Sequence, residues 1–247
     1  MSVAGEGAGL LVLGIETATS QVGVALGNHE GIISATQVVA RRRHAEILTP
    51  ATEWVCRQAG VSLAEVRVVA VDVGPGLFTG LRVGVSAAKA TAAALRVPMI
   101  GLSSLDLLAY QVRHTERLVA SVVDARKGEV YWALYRQAPG GIQRVGEPDV
   151  SAPAELAAEL QARAEPSLVV GDGALRYAAM LGADRGAELG TIGTAYPRAS
   201  DLVELARPKV LREEFVQVSE IEVAYLRKAD AEINWERRAG ASAAGGD

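Results

Sequence analysis

The chain has 247 residues, and 49% of them are hydrophobic, which suffices for the core of one large domain or two modest ones. Its net charge of −4 argues against a protein that grips nucleic acid alone, and its single cysteine, Cys56, excludes an internal disulfide and a multi-cysteine metal site. Because no apolar run reaches about 18 residues and the first residues lack a signal-peptide pattern, we expect no membrane span and a cytoplasmic protein.

A first α/β lobe is predicted over residues 10–104, after a flexible leader at residues 1–9. Apolar residues recur on one face of His44–Ala59, which predicts a helix. A second helix, rich in small residues, is predicted from Gly80 to about Leu95. Strands are predicted at Leu10–Ile15, Val22–Leu26, Gly31–Val39 and Val66–Val73, and from Met99 onward.

A second lobe is predicted over residues 105–217, beginning with a hairpin near Leu118. Residues 218–232 include a further apolar stretch that we expect to return to the first lobe, and residues 233–247 form a C-terminal tail. The end of this tail, Ala239–Asp247, has a Gly, Ala and Ser content that indicates disorder. Within the second lobe we predict strands at Ile142–Val145 and Leu168–Val170, and helices at Ala154–Arg163, Ala174–Leu181 and Asp201–Ala206.

Two segments of the chain share one pattern without a gap. Leu13–Leu26 and Ser121–Leu134 each consist of an apolar strand that ends in an acid, a short polar loop and a second apolar strand. The acids are Glu16 and Asp124, which occupy equivalent positions. A repeated supersecondary unit indicates duplicated architecture, so we predict two related α/β lobes.

The loop Gly74–Gly80 lies between a buried strand and a helix start, where backbone N–H groups can bind an anion. Its spacing fits neither the Walker loop nor the dinucleotide fingerprint. A purely structural turn is the favoured interpretation, because glycines also let a helix pack tightly on a strand. The weak candidates for nucleotide binding are Thr17, Thr19, Gly74 and Gly76.

The helix after this loop carries small residues four positions apart, at Gly80, Gly84 and Ala88. Such a stripe allows close approach either of the protein's own sheet or of a partner helix. A metal site made by two histidines on one helix face needs the second histidine four positions after the first. The residue four positions after His44 is Leu48, which cannot bind a metal. This spacing argues against a metal site, and we expect no catalytic residue.

Six ordered segments together resemble the TsaB (YeaZ) family, subunits that support threonylcarbamoylation of adenosine-37 in tRNA. The resemblance spans most of the chain, from Leu10 to about Lys228. The segments are Gly14–Thr19, His44–Pro50, Gly74–Gly84, Pro98–Leu105, Asp124–Tyr131 and Ala224–Arg227.

The resemblance implies an actin-like (ASKHA) fold of two duplicated α/β lobes, each with a mixed sheet flanked by helices. It implies a non-catalytic scaffold that binds the TsaD transferase through first-lobe helices and recruits the ATPase TsaE through the complex. It also implies a homodimer through the same surface when TsaD is absent. ATP and metal are expected on the partner subunits, and tRNA would be contacted only indirectly. By analogy, the partner interface would use His44, Leu48, Gly80, Gly84, Ala87, Ala88 and Thr91.

An alternative function is that of an autonomous ATP-dependent small-molecule kinase of the same fold. It would use the loops Thr17–Ser20 and Gly74–Gly80, with Glu16 near a metal–phosphate complex. A peptidase would need Cys56 or a serine beside His44, and the sequence lacks a nucleophile-elbow motif.

Overall fold

The computed structural model describes residues 10–39, 43–182, 186–224 and 226. The expected leader, residues 1–9, and the expected tail, residues 233–247, therefore lie outside the described residues. The first lobe contains strands β1 (Val12–Glu16), β2 (Gln21–Gly27), β3 (Ile32–Val39), β4 (Val68–Gly74) and β5 (Met99–Ser103), and helices α1 (His44–Ala59), α2 (Phe78–Leu95) and α3 (Ser104–Gln111).

The second part of the chain repeats this plan with a longer hairpin and shorter helices. Its strands are β6 (Leu118–Arg126), β7 (Glu129–Ala138), β8 (Gly141–Ser151), β9 (Ser167–Val170) and β10 (Ala187–Leu189). Its helices are α4 (Pro153–Arg163), α5 (Asp172–Arg176), α6 (Ala178–Leu181) and α7 (Ala199–Leu211). Among the described residues, no helix has both the length and the apolar character needed to cross a bilayer.

The two five-stranded sheets have the same strand order, β3-β2-β1-β4-β5 and β8-β7-β6-β9-β10. In each sheet a hairpin pairs antiparallel, and the next strand, β4 or β9, pairs parallel with the first strand of that hairpin. The last strand, β5 or β10, in turn pairs parallel with β4 or β9. Both sheets are therefore mixed and carry helices, which confirms the duplicated actin-like fold expected from the sequence.

The repeated hairpins differ in register by one residue. Leu13 lies opposite Leu26, but Ser121 lies opposite Ala133, where the gap-free alignment requires Leu134. The second hairpin closes with Arg126 and Lys127 at φ values of 64° and 54°, and its register shifts between Asp124 and Arg126. This tighter turn shortens the loop, so the gap-free alignment is wrong by one residue in the second strand.

Helices α1 and α2 pack on one face of the first sheet, and α7 packs on the other. Leu202, Val203 and Ala206 of α7 contact a core that includes Val12 and Val68 of the first lobe. The assignment of residues 105–217 wholly to the second lobe is therefore wrong. Periodicity predicts that this segment is helical but does not indicate which sheet its apolar face covers.

Helix α3 joins the two lobes, so the boundary predicted between residues 104 and 105 falls at its start. Leu107 belongs to the core of the first sheet beneath α7, whereas Leu105 and Leu108 pack with Val119 and Tyr135 of the second sheet. Helix α3 therefore contributes apolar side chains to the cores of both lobes and packs them together.

The C-terminal segment returns to the first lobe, as expected for residues 218–232, but it does so earlier. Val216 forms an antiparallel bridge with Met99 of β5. Ile221 is buried in the core beneath α1 and α2, and the Ala224 N–H donates to the Val73 carbonyl at 2.7 Å. Residues 227–232 lie outside the described residues.

Candidate functional site

The loop after β1 and the glycine loop after β4 close on each other. The Thr17 hydroxyl donates to the Gly80 carbonyl at 2.8 Å, and the Leu77 N–H donates to the Ala18 carbonyl at 2.6 Å. Thr17 and Thr19 are both about 1% exposed. The structure therefore places both threonines inside the first lobe, which does not support their prediction as nucleotide-loop residues.

The glycine loop is shaped by its contact with the first loop. A methyl group on Gly76 would lie 2.2 Å from the Ala18 carbonyl oxygen, so only glycine fits without a backbone shift. The Gly74 N–H is also engaged, because it donates to Asp72 Oδ1 at 2.8 Å. The interpretation of the glycine loop as a purely structural turn therefore explains the contacts of both Gly74 and Gly76.

The small-residue stripe of α2 faces the protein's own β1 loop. A methyl group on Gly80 would lie 2.2 Å from the Thr17 carbonyl oxygen, and one on Gly84 would lie 2.1 Å from the Thr17 hydroxyl. Ala88 is fully buried in the core beneath α1 and α2. The prediction that Gly80, Gly84 and Ala88 contact a partner is therefore wrong, because the close approach they permit is made within the chain.

The interface prediction is also wrong for His44 and Leu48, which are both about 4% exposed. His44 Nε2 lies 2.7 Å from the Thr19 carbonyl, so its ring N–H joins the start of α1 to the β1 loop. Leu48 belongs to the core. Among the described residues, no group of three or more His, Cys, Asp or Glu side chains could hold a metal ion.

The other two interface candidates, Ala87 and Thr91, are half-buried at the margin of the stripe. Beyond them, the outward face of α2 carries exposed short side chains, and the aromatic rings of Phe78 on α2 and Trp54 on α1 are 44% and 40% exposed. The Arg82 guanidinium stacks on the Phe78 ring, 3.8 Å from its centre. Further exposed residues of α2 are Ser86, Ala90, Ala93 and Ala94.

A buried pair of acids lies at the ends of β1 and β4. Ile15 is opposite Val71 in the parallel register, so the next residues, Glu16 and Asp72, are neighbours on the face away from α1 and α2. Glu16 Oε1 accepts from the Ala18 N–H at 2.7 Å. Asp72 Oδ1 accepts from the Ser104 hydroxyl at 2.7 Å as well as from Gly74. Within the described part of the chain, the second oxygen of each carboxyl has no hydrogen-bond partner.

Burial raises the pKa of both acids. The pKa of Asp72 rises to about 7, although hydrogen bonds from Ser104 and Gly74 oppose the shift. The pKa of Glu16 rises well above its ordinary value, first through burial and second through the nearby charge of Asp72. The pair therefore retains a proton near neutral pH. The sequence analysis compared Glu16 with Asp124 and missed Asp72, whose signal was a lone acid at the end of a buried valine-rich strand.

The second lobe places a related acid pair in a different environment. The Asp124 N–H donates to Asp172 Oδ1 at 3.0 Å, and burial raises the pKa of Asp172 to about 6. Arg126 and Arg176 approach Asp124 Oδ2 at 3.0 and 3.6 Å. Cationic side chains therefore compensate Asp124, whereas an uncharged Ser104 faces Asp72.

The fold and this geometry define the class as an actin-like two-lobed protein whose first-lobe loops are filled by its own side chains. A family model described as "TsaD: tRNA N6-adenosine threonylcarbamoyltransferase" matches residues 31–235. The chain is similar to the protein named "tRNA threonylcarbamoyladenosine biosynthesis protein TsaB" in two bacteria. It is 30% identical to that of Bacillus subtilis (strain 168), covering 92% of this chain and 98% of the relative. It is 31% identical to that of Escherichia coli (strain K12), covering 93% and 98%.

A solved structure agrees with these relatives. "YeaZ from Pseudomonas aeruginosa" superposes with a TM-score of 0.77 and 31% identity, covering 87% of this chain and 99% of that one. The chain therefore belongs to the TsaB (YeaZ) family.

Proposed function

We propose that this protein is a non-catalytic scaffold and activating subunit of the complex that forms N6-threonylcarbamoyladenosine at position 37 of tRNA. The observation that carries the proposal is the closed pair of first-lobe loops. The side chains that could serve a phosphate or a metal there, Thr17 and His44, hydrogen-bond to the protein's own backbone. The printed names of the relatives and the match to the transferase family model support a place in the same pathway.

The partner bound directly is the TsaD transferase, and the proposed docking surface is the outward face of α1 and α2. Exposed aromatic rings stacked with arginine are typical anchors of protein interfaces, and Phe78 with Arg82 forms such a pair. The short side chains at Ser86 and Ala90 would let a partner helix approach closely. The docking surface is thus the opposite face of α2 from the stripe predicted from the sequence.

The remaining partners follow from this role. TsaE joins through the complex, and a homodimer forms when TsaD is absent. The net charge of −4 favours tRNA binding by the partners, which also hold the ATP and the metal. The complex acts in the cytoplasm.

Ala90→Arg is expected to weaken TsaD binding about tenfold or more, because a long charged side chain would stand in the centre of the docking surface. Co-purification with TsaD and an assay of modified tRNA measure the effect. Ala158→Arg on α4 is the matched control, since Ala158 is also an exposed helical alanine but lies on the second lobe. Unchanged TsaD binding by folded Ala90→Arg protein would contradict the proposed surface.

Titration of the isolated chain with Mg-ATP in a calorimeter is expected to give no saturable heat, because Thr17 is buried and bonded to Gly80. The same titration of the complex with TsaD and TsaE serves as the positive control. Stoichiometric ATP binding by the isolated chain, lost in Glu16→Ala, would instead favour the kinase alternative.

A further inference from the structure

A cavity of about 380 Å³ lies beside the end of α2 in the first lobe. It is lined by Ala92, Ala93, Arg96–Pro98 and Val216–Val218. Apart from Arg96 and Gln217, these lining residues are apolar. Ala93, Arg96 and Val216 are exposed, so the cavity opens at the surface. A concave apolar wall of this size suits a large apolar side chain.

The described chain runs past this cavity and ends close to it. Val216 pairs with Met99 at the start of β5, and the Ala224 N–H donates to the Val73 carbonyl near the end of β4. Met99 lies opposite Val69 in the parallel register, so the two anchor points are four residues apart along β4, or about 13 Å. The last described residue is two positions past Ala224.

The sequence beyond this point contains a single aromatic residue, Trp235. It stands nine positions after residue 226, and nine extended residues span about 30 Å, which exceeds the 13 Å needed to return to the level of Met99. A tryptophan ring is the largest apolar group that a chain can place in a cavity. The length of the sequence therefore allows Trp235 to reach the cavity without a fully extended path.

We propose that residues 227–238, which we call the C-terminal segment, fold back beside α2 and place the Trp235 ring in this cavity. The charges support this occupant. Glu236 follows Trp235, and the cavity rim carries Arg96. Arg237 and Arg238 come next, and positive charge is favoured at a helix C-terminus such as that of α2, whose own last turn contains no basic residue.

The docked segment has a consequence for the neighbouring surface of α2. Ala93 belongs both to the cavity wall and to the outward face of the helix, three positions after Ala90. The C-terminal segment would therefore form the margin of the surface proposed for TsaD. This consequence rests on the proposed function, whereas the docking itself is a property of the isolated chain.

The reactivity of a cysteine at position 93 towards a thiol reagent tests the docking. Ala93→Cys is expected to react slowly in the isolated full-length chain, and adding Trp235→Ala is expected to raise the rate about tenfold or more, because thiol reactivity follows access. Ala94→Cys is the matched control, since Ala94 is exposed on the same helix but does not line the cavity. The native Cys56 is buried. A rate at position 93 that Trp235→Ala leaves unchanged would overturn the proposal.

Tryptophan fluorescence gives a second test. With Trp54→Phe and Trp132→Phe, only Trp235 emits, and we expect it to be shielded from acrylamide. Adding Ala93→Arg is expected to remove the shielding, and Ala94→Arg to preserve it. Shielding that disappears on dilution would assign the cavity to another copy of the chain, and shielding that appears only with TsaD would assign it to the partner. Either result would overturn the proposal, and both are independent of the Ala90→Arg result.

Discussion

Gly80→Ala is expected to destabilise the protein, although alanine is the better helix former. On propensity alone the change inside α2 would add about 1 kcal/mol of stability. The added methyl group would, however, lie 2.2 Å from the Thr17 carbonyl oxygen, which is backbone and cannot rotate away. Separating the loop from the helix would also strain the hydrogen bond from Thr17 to Gly80. We expect a net loss of about 1–3 kcal/mol, as for overpacked cores.

Urea denaturation followed by circular dichroism measures this loss. Ser86→Ala is the control, because it lies on the exposed face of the same helix and is expected to change stability by at most about 0.5 kcal/mol. A Gly80→Ala protein more stable than wild type would show that helix propensity outweighs the contact with Thr17.

The close contact between α2 and the Thr17 loop also determines how a loss of TsaD binding in larger substitutions on α2 must be interpreted. Gly84→Arg would drive a long side chain into the Thr17 hydroxyl, so loss of TsaD binding in that variant would report unfolding of the first lobe. A substitution at Ala90, on the opposite face of α2, reports binding alone. Interface mapping on this helix therefore depends on choosing residues from the outward face.

Local patterns predicted most elements, because burial of one face sets the period of apolar residues. The prediction of α1 as His44–Ala59 is confirmed at both ends, and Gly31–Val39 differs from β3 by one residue. The duplicated fold was also accessible, since the repeat around Glu16 and Asp124 preserves strand, acid and loop in order.

What the sequence could not supply is the identity of each packing partner. The stripe of Gly80 and Gly84 indicates that something approaches α2 closely, and this holds equally for a partner helix and for the Thr17 loop. The apolar face of helix α7 could pack on either sheet, so its place on the first sheet depends on long-range contacts. The acid pair was missed for the same reason, because Glu16 and Asp72 become neighbours only through the parallel pairing of β1 with β4.

Asp72→Asn is expected to stabilise the protein above neutral pH. Asparagine has the size of aspartate, its oxygen can still accept from Gly74 and Ser104, and it places no negative charge beside Glu16. In the wild type, raising the pH removes the proton that the pair retains and leaves two buried negative charges side by side. Asp106 and Asp172, the other acids near the pair, add to this repulsion.

The direction of the pH dependence follows from proton counting. The folded protein holds a proton on Asp72 up to a pKa of about 7, whereas the unfolded chain releases it near the ordinary value of 3.8. The folded state therefore binds more protons between these values, so the free energy of unfolding falls as the pH rises through this window. Each unit of pKa shift corresponds to about 1.4 kcal/mol, so the loss amounts to a few kcal/mol by pH 8.

Urea denaturation between pH 5 and pH 8 compares wild type, Asp72→Asn and Asp149→Asn, an identical change at an exposed acid of β8. We expect a flatter profile and higher stability at pH 8 for Asp72→Asn, and a wild-type profile for Asp149→Asn. Parallel profiles for all three proteins would mean that Asp72 is already ionised in the fold. The loops after β1 and β4 would then be held by the hydrogen bonds from the Ala18 and Gly74 N–H groups to Glu16 and Asp72, with no proton retained on the two carboxyl groups.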